Sequence, residues 1–283
     1  MGQSIKKFGG TVRVEILVCT KDRHSELALL IQSLLNQDFK DWDLMILDDA
    51  SGTPIDYAHF IQKLIIECKK AGHRVISMRN PESFGVCYAR NYLNDVYIKR
   101  SRAEFALRLD DDVILDSDYI TKLLKVIDAG YDVASGVTTS YGNLDFKRNV
   151  SFIGDVINVH KFNKEGEIIL NKDDCGIGYT SQKILKTHQF RSCALFKRDV
   201  VDNIEYPSNL TKVGFREEGF YSFKCLIKGY KIGVDTIADA HHFQAPSGGT
   251  RSPSYSSDVQ LDNETFLKWC KKMYKKHGDF LNG

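Results

Sequence analysis

The chain has 283 residues, 42% of them hydrophobic and 27% charged, with a formal net charge of +2. This balance excludes a disordered chain and gives no electrostatic case for a nucleic-acid partner, while the length suits one large α/β domain or two packed halves. Seven cysteines, odd in number and without a Cys-x-x-Cys pair, indicate neither a zinc site nor a disulfide framework. Val12 to Val18 reads as a buried strand, followed by a helix with Leu27, Leu30, Ile31, Leu34 and Leu35 on one face. Leu44 to Leu47 is a second strand ending in Asp48-Asp49, and Ile61, Leu64, Ile65 and Cys68 mark a helix that stops near Gly72. Arg74 to Met78 is a third strand. A loop with Pro81 and Gly85 then leads into a helix through about Lys99. The next apolar run, Phe105 to Leu109, ends in Asp110-Asp111-Asp112, and Tyr119, Leu123, Leu124 and Ile127 face one side of the helix after it. This alternation predicts a mostly parallel sheet covered on both faces, with ligands at the carboxyl ends of its strands.

The second half is less regular. Loops and small strands are expected from about Thr138 to His188, and order returns at Phe190 to Phe196. A helix from Glu217 carries Phe220, Phe223, Leu226 and Ile227, is capped at Gly229, and precedes a strand over Tyr230 to Val234. Ser247 to Pro253 reads as a loop rich in small residues, and Phe266 to Lys276 as a basic amphipathic helix. Met1 to Gly10 is polar, and no apolar run approaches the ~20 residues of a spanning helix. A reducing, cytoplasmic setting is therefore expected, with peripheral membrane contact through the lysine-rich C-terminal helix as the alternative to plain packing of that helix.

The triple aspartate is the most informative feature. Adjacent carboxylates repel and resist desolvation, so a cluster at a strand end meets a cation or lies open to water. In extended chain Asp110 and Asp112 point to one side and Asp111 to the other. The result is an Asp-x-Asp pair able to offer oxygen ligands to Mn²⁺ or Mg²⁺, which in turn can hold a diphosphate. Taken alone, three aspartates fit a solvated acidic turn equally well.

Several short patterns accompany it in order: Cys19-Thr20-Lys21-Asp22-Arg23, Leu34-Leu35-Asn36-Gln37, Asp48-Asp49-Ala50-Ser51, then Asn80, Gly85, Ala89-Arg90-Asn91, and Leu109 to Asp112. Arg216-Glu217-Glu218 and Gly229-Tyr230-Lys231-Ile232 follow. From about Val12 to Phe243 the chain resembles family 2 glycosyltransferases of the GT-A fold. The resemblance implies an α/β, Rossmann-like three-layer sandwich with a mostly parallel central sheet. Residues 1–136 would form the nucleotide-sugar half and 137–250 the acceptor and catalytic half of one domain, with 251–283 holding the lid loop and the basic C-terminal helix. The implied activity is inverting, metal-assisted transfer of a hexose or N-acetylhexosamine from a nucleotide diphosphate, UDP first, to a hydroxyl of a glycan, lipid-linked glycan or protein.

In that reading Thr20, Arg23, Asp49, Arg90, Asp110, Asp111 and Arg251 serve the donor. Asp49 can accept a uracil imide N–H or, alternatively, cap the next turn. Arg90 can meet a phosphate or form a salt bridge, and Arg251 can reach the diphosphate when the Ser247–Pro253 loop closes. Asp112 and Asp110 are the implied ligands of Mn²⁺ (or Mg²⁺). His242 or His241 would be the third ligand, since adjacent histidines face opposite sides. Glu218, or Glu217, would be the base that deprotonates the acceptor, although Glu is also favoured in a first helical turn for its interaction with the dipole. Two departures stand out: the family's usual Glu-Asp is Glu217-Glu218 here, and residues 138–188 match no acceptor pattern. A sugar-1-phosphate nucleotidyltransferase would open with a glycine-rich loop, which Cys19 to Arg23 lacks. A decayed nucleotide-sugar-binding domain would have lost its metal or base residues, and both are present.

Overall fold

The computed structural model describes residues 13–140, 156–157, 160–169 and 183–281. The first half alternates as the pattern predicts: β1 (Val14–Thr20), α1 (His24–Leu35), β2 (Trp42–Asp48), α2 (His59–Lys70), β3 (Val75–Arg79), α3 (Val86–Arg100) and β4 (Phe105–Leu109). These strands lie parallel in the order β3-β2-β1-β4. β1, β2 and β4 are buried almost throughout, because the two faces of each strand pack against separate helical layers. Ile16, Val18, Leu44, Ile46, Leu107 and Leu109 face the layer containing α1 and α2, while Leu17, Met45, Leu47 and Ala106 face the α3 side.

The remaining elements are β5 (Val113–Leu115), α4 (Tyr119–Asp128), β6 (Val133–Ser140), β7 (Val156–Ile157), β8 (Lys161–Phe162), β9 (Ile168–Ile169), β10 (Ile184–Thr187), β11 (Ala194–Lys197), α5 (Arg198–Asn203), α6 (Glu217–Ile227), β12 (Ile232–His242) and α7 (Tyr255–His277). β11 lies antiparallel between β4 and β6, β6 runs parallel to β12, and β10 and β7 extend the sheet beyond β12. β8 and β9 form a separate hairpin, and most of the expected acceptor region, including 141–155 and 170–182, lies outside the described residues.

Two elements are longer than the apolar pattern predicts. β12 does not stop at Val234. Its register against β6 shifts between Val234 and Asp239, after which it leaves β10 and pairs antiparallel with β5 through Ala240, His241 and His242. Bulges of this kind re-aim a strand, and this one delivers His242 opposite Val113, beside the aspartates. α7 begins at Tyr255, well before Phe266. The buried residue of its first half is Asp262, an acid, so no apolar period marks it. Further along, Phe266 and Cys270 are buried with Phe220 and Phe223, and Trp269 lies 4.8 Å from the Phe220 ring. The aromatic face of α7 is thus used inside the molecule. Among the described residues no helix is long and apolar enough to cross a membrane.

Some of the short patterns hold the architecture. Gln37 is buried after α1; its amide donates to the carbonyls of Ser33 (3.2 Å) and Asp116 (2.7 Å) and its Oε1 accepts from the Ile120 N–H, which fixes the start of α4 against α1.

Glu15 is a different case. It is buried on β1, Arg74 donates to its Oε2 at 2.8 Å, and its Oε1 finds no hydrogen-bond partner. Burial, only partly offset by hydrogen bonds and the Arg74 charge, raises its pKa above the usual value of 4.5. A raised carboxyl contributes stability while protonated, and that contribution is lost as pH climbs from the unfolded value through the folded one. Glu15→Gln, which keeps the shape and removes the charge, is therefore expected to raise Tm by roughly 2 °C at pH 8. The gain should vanish at about pH 4, where the wild-type carboxyl is already neutral; paired thermal melts at the two pH values check both halves.

Candidate active site

The carboxyl ends of β1, β2 and β4 meet at one edge of the sheet, where open α/β sheets place their ligands. Thr20 ends β1, buried and in register with Asp48. Asp48 is a loop clamp: its carboxylate accepts from the Ser51 N–H at 2.7 Å, the Ile55 N–H at 3.2 Å and Arg79 at 2.6 Å. Asp49 accepts from Asn80 Nδ2 and Ser83 Oγ, both at 2.7 Å, and from the N–H groups of Phe84 and Gly85 at 3.1 Å. Here it caps the loop into α3, the second of the two roles its position allows. That loop is tightly seated. Gly85 has φ 93°, and a Cβ there would come within 2.5 Å of the Lys212 Cα.

The three aspartates lie in a turn between β4 and β5, not in extended chain, and they divide between two arginines. Arg90, from the first turns of α3, donates to Asp110 Oδ1 at 2.9 Å. Asp111 turns the other way and meets Arg23 Nη1 at 2.9 Å; burial pushes its carboxyl up to about 6 against the opposing pull of Arg23. Asp112 is almost wholly buried. Its Oδ1 lies 3.0 Å from His242 Nε2, and its Oδ2 accepts from the Ala245 N–H at 3.1 Å and lies 3.2 Å from Arg23. Burial opposes the Asp112 charge, but His242, Arg23 and the Ala245 N–H outweigh it and hold the carboxyl below its usual value. The His242 imidazole is likewise disfavoured as a cation by burial, yet the hydrogen bond and charge of Asp112 raise its pKa. Its neighbour His241 points to the opposite side, with Nε2 3.2 Å from Asp116, and stays out of the cluster.

Potential ligand atoms of Asp110, Asp112 and His242 all lie within 4.8 Å of one another. Two carboxylates and an imidazole suit a divalent ion such as Mn²⁺ or Mg²⁺. Charge balance agrees. Asp111 and Asp112 pair with Arg23, and Asp110, Glu217 and Glu218 pair with Arg90 and Arg108, leaving two negative charges when His242 is neutral. The residues therefore fit a divalent metal.

Glu217 and Glu218 open α6, directly after Arg216, which sits in the left-handed region at φ 73°. Glu217 forms an ion pair with Arg90, and Glu218 Oε1 accepts from Arg108 Nη2 at 2.7 Å. The approach to α6 is held from outside. Asp262 of α7 accepts from the Thr211 N–H (2.7 Å), the Thr211 hydroxyl (2.8 Å) and the Phe215 N–H (2.8 Å), while Asn263 accepts from Arg216. Asn91 also serves position: it exchanges hydrogen bonds with the Tyr206 backbone in both directions. The Ser247–Pro253 loop lies on Lys21 to Arg23, with the Gly249 N–H on the Lys21 carbonyl at 2.7 Å and Arg23 Nε donating to the Ser247 carbonyl at 3.2 Å. Arg251, at its far end, is exposed over the Tyr255 ring at 5.6 Å and does not meet the aspartates.

The family model of Glycosyl transferase family 2 matches residues 15–205. The chain belongs to glycosyl transferase family 2. No curated protein matches it by sequence. Among solved structures, S. aureus TarS 1–349 is similar at 15% identity and a TM-score of 0.55, over 82% of this chain and 60% of that one. The same TarS fragment in complex with UDP-GlcNAc aligns over 90% of this chain and 65% of its own, at 14% identity and a TM-score of 0.58. GalNAc-T7 with UDP, GalNAc and Mn²⁺ gives 12% identity and a TM-score of 0.62, over 95% of this chain and 55% of that one. The chain thus spans 60% to 65% of the TarS fragment and 55% of GalNAc-T7, and these likenesses speak for the shared fold.

Within this family 2 glycosyltransferase, Arg108 and Tyr206 are the site residues that sequence reading passes over. The signal for Arg108 was present: an arginine two positions before Asp110, in an otherwise apolar strand.

Proposed function

We propose that the protein transfers a hexose or N-acetylhexosamine from a UDP-sugar to a hydroxyl of a glycan, lipid-linked glycan or protein, with inversion. One observation carries this reading: an Asp110–Asp112–His242 group assembled from the segment after β4 and the end of β12, and tied to the start of α6 through Arg90, which pairs with both Asp110 and Glu217. Asp110, Asp112 and His242 would hold a divalent metal, which when bound neutralises charge building on the leaving diphosphate. Thr20 and the Asp49-held loop form the crevice for the base, and Arg90 and Arg23 face the side where phosphates would lie. Glu218 takes the acceptor hydroxyl proton as the oxygen bonds to the anomeric carbon and the bond to diphosphate breaks. Glu217, committed to Arg90, holds that guanidinium in place. A single displacement at one face inverts configuration. The loop over Arg23 limits the access of water while the sugar is in place, and Arg251 would swing in from its exposed position.

The test is UDP release from a panel of nucleotide sugars in Mn²⁺, in Mg²⁺ and with chelator. Release from one UDP-sugar that depends on metal supports the assignment. A GDP- or TDP-sugar turned over instead would move the specificity, and an α-linked product from an α-linked donor would overturn inversion.

A further inference from the structure

Arg108 is buried in the middle of β4, on the face that otherwise packs Ala106, Leu17 and Ala194 into the apolar layer under α3. An arginine there is costly unless it is paired, and because its Nε finds no hydrogen-bond partner among the described residues, the contacts of its two terminal nitrogens must offset the burial. Its partners converge from three separate segments: the Ser192 carbonyl, the Tyr206 hydroxyl at 3.1 Å and Glu218 Oε1 at 2.7 Å, with its guanidinium 5.2 Å from the centre of the Phe190 ring. Tyr206 is itself fixed by Asn91 through its backbone.

From this we infer that Arg108 is the positioning residue for the base, resting on the reading of Glu218 given above. Two links support it. Arg108 lies in β4 and Asp110 directly follows its last residue, two positions on, so the candidate metal ligand and the group that aims the base share one support. The guanidinium also takes Oε1 alone, and among the described residues no hydrogen-bond donor meets Oε2. The carboxylate is thereby anchored through one oxygen, which in this assignment leaves Oε2 to take the acceptor proton. Base catalysis needs that placement more than it needs the charge of Arg108, because a misplacement of about 1 Å can cost roughly 10²-fold. Glu217 is held differently: Arg90 pairs with both it and Asp110, while Arg108 Nη1 stands 3.9 Å from its Oε1, beyond hydrogen-bond distance.

The test uses the full chain with Mn²⁺ and the UDP-sugar that wild type hydrolyses, water serving as acceptor: its oxygen bonds to the anomeric carbon, UDP leaves, and a proton passes to Glu218. Arg108→Lys is expected to lower kcat by about tenfold or more while KM stays within about twofold, since donor contacts are untouched. In a Glu218→Gln background the same change should have no further effect, because the two side chains act as a unit. Tyr206→Phe, which loosens the guanidinium and keeps its charge, should show a weaker loss confined to kcat and covers the case in which Arg108→Lys does not fold. Unchanged kcat in both variants, a matching rise in KM, or full additivity with Glu218→Gln would overturn the positioning role and leave the transferase reading intact. A wild type that neither hydrolyses nor binds any UDP-sugar by calorimetry overturns the reading of the site, and this inference with it.

Discussion

Asp112→Asn should lower metal-stimulated UDP release by about three orders of magnitude, equivalent to about 4 kcal/mol of lost transition-state stabilisation. The expectation follows from how many contacts converge on one carboxylate. Oδ1 meets His242, and Oδ2 meets both Arg23 and the Ala245 N–H, which opens the segment leading to the lid loop. Asparagine keeps the size of the side chain and can keep one of these bonds, but it removes the charge that a hard divalent ion needs from its ligand. Arg23 retains Asp111, so the guanidinium is not left unpaired. The fold should therefore survive with only a small drop in Tm, and titration with Mn²⁺ should show lost metal affinity in a folded protein. Chelator ought to bring wild type down to the level of the variant and leave the variant unchanged. A variant that retains most of its metal-stimulated rate would remove Asp112 from the metal site.

The first half of the fold was legible because its strands and helices obey two simple periods. β1, β2 and β4 are apolar runs interrupted inside only by Glu15, Asp43 and Arg108, close to what strands covered on both faces require, and α4 carries its buried residues on one stripe. β12 was read short because Asp235, Thr236 and Asp239 interrupt its apolar run. It continues because neighbouring strands supply ladder partners that a sequence pattern does not display. The first half of α7 was hidden for a related reason: the residue it buries is Asp262, which serves a loop instead of a core. At the site, the acidic residues could be named from their position at strand ends, but their partners could not. Arg90 reads from sequence as a phosphate ligand or a salt bridge. In the fold it bridges Asp110 and Glu217, joining a strand end to a helix start that lie far apart in the chain. Arg108 shows the same limit, since a buried arginine is recognisable only once its partners are assembled around it.

Glu218→Gln is expected to reduce transfer by about 10³-fold while leaving the affinity for UDP and metal within about twofold of wild type. Glutamine can still accept from Arg108 through its amide oxygen, so the start of α6 stays in place, and what is lost is the capacity to take a proton from the acceptor. The neighbouring glutamate gives the contrast. Glu217 is buried against Arg90, whose other partner is Asp110, so Glu217→Gln acts first on the guanidinium proposed above to serve the donor. Its signature should be weaker donor binding, with a smaller effect on kcat. Measuring both variants for UDP affinity by calorimetry and for turnover in the same buffer separates the two roles. If Glu217→Gln carries the large loss in kcat and Glu218→Gln the loss in affinity, the base is Glu217, and the one-methylene departure from the family's Glu-Asp pair has moved the catalytic carboxylate by one position along the helix.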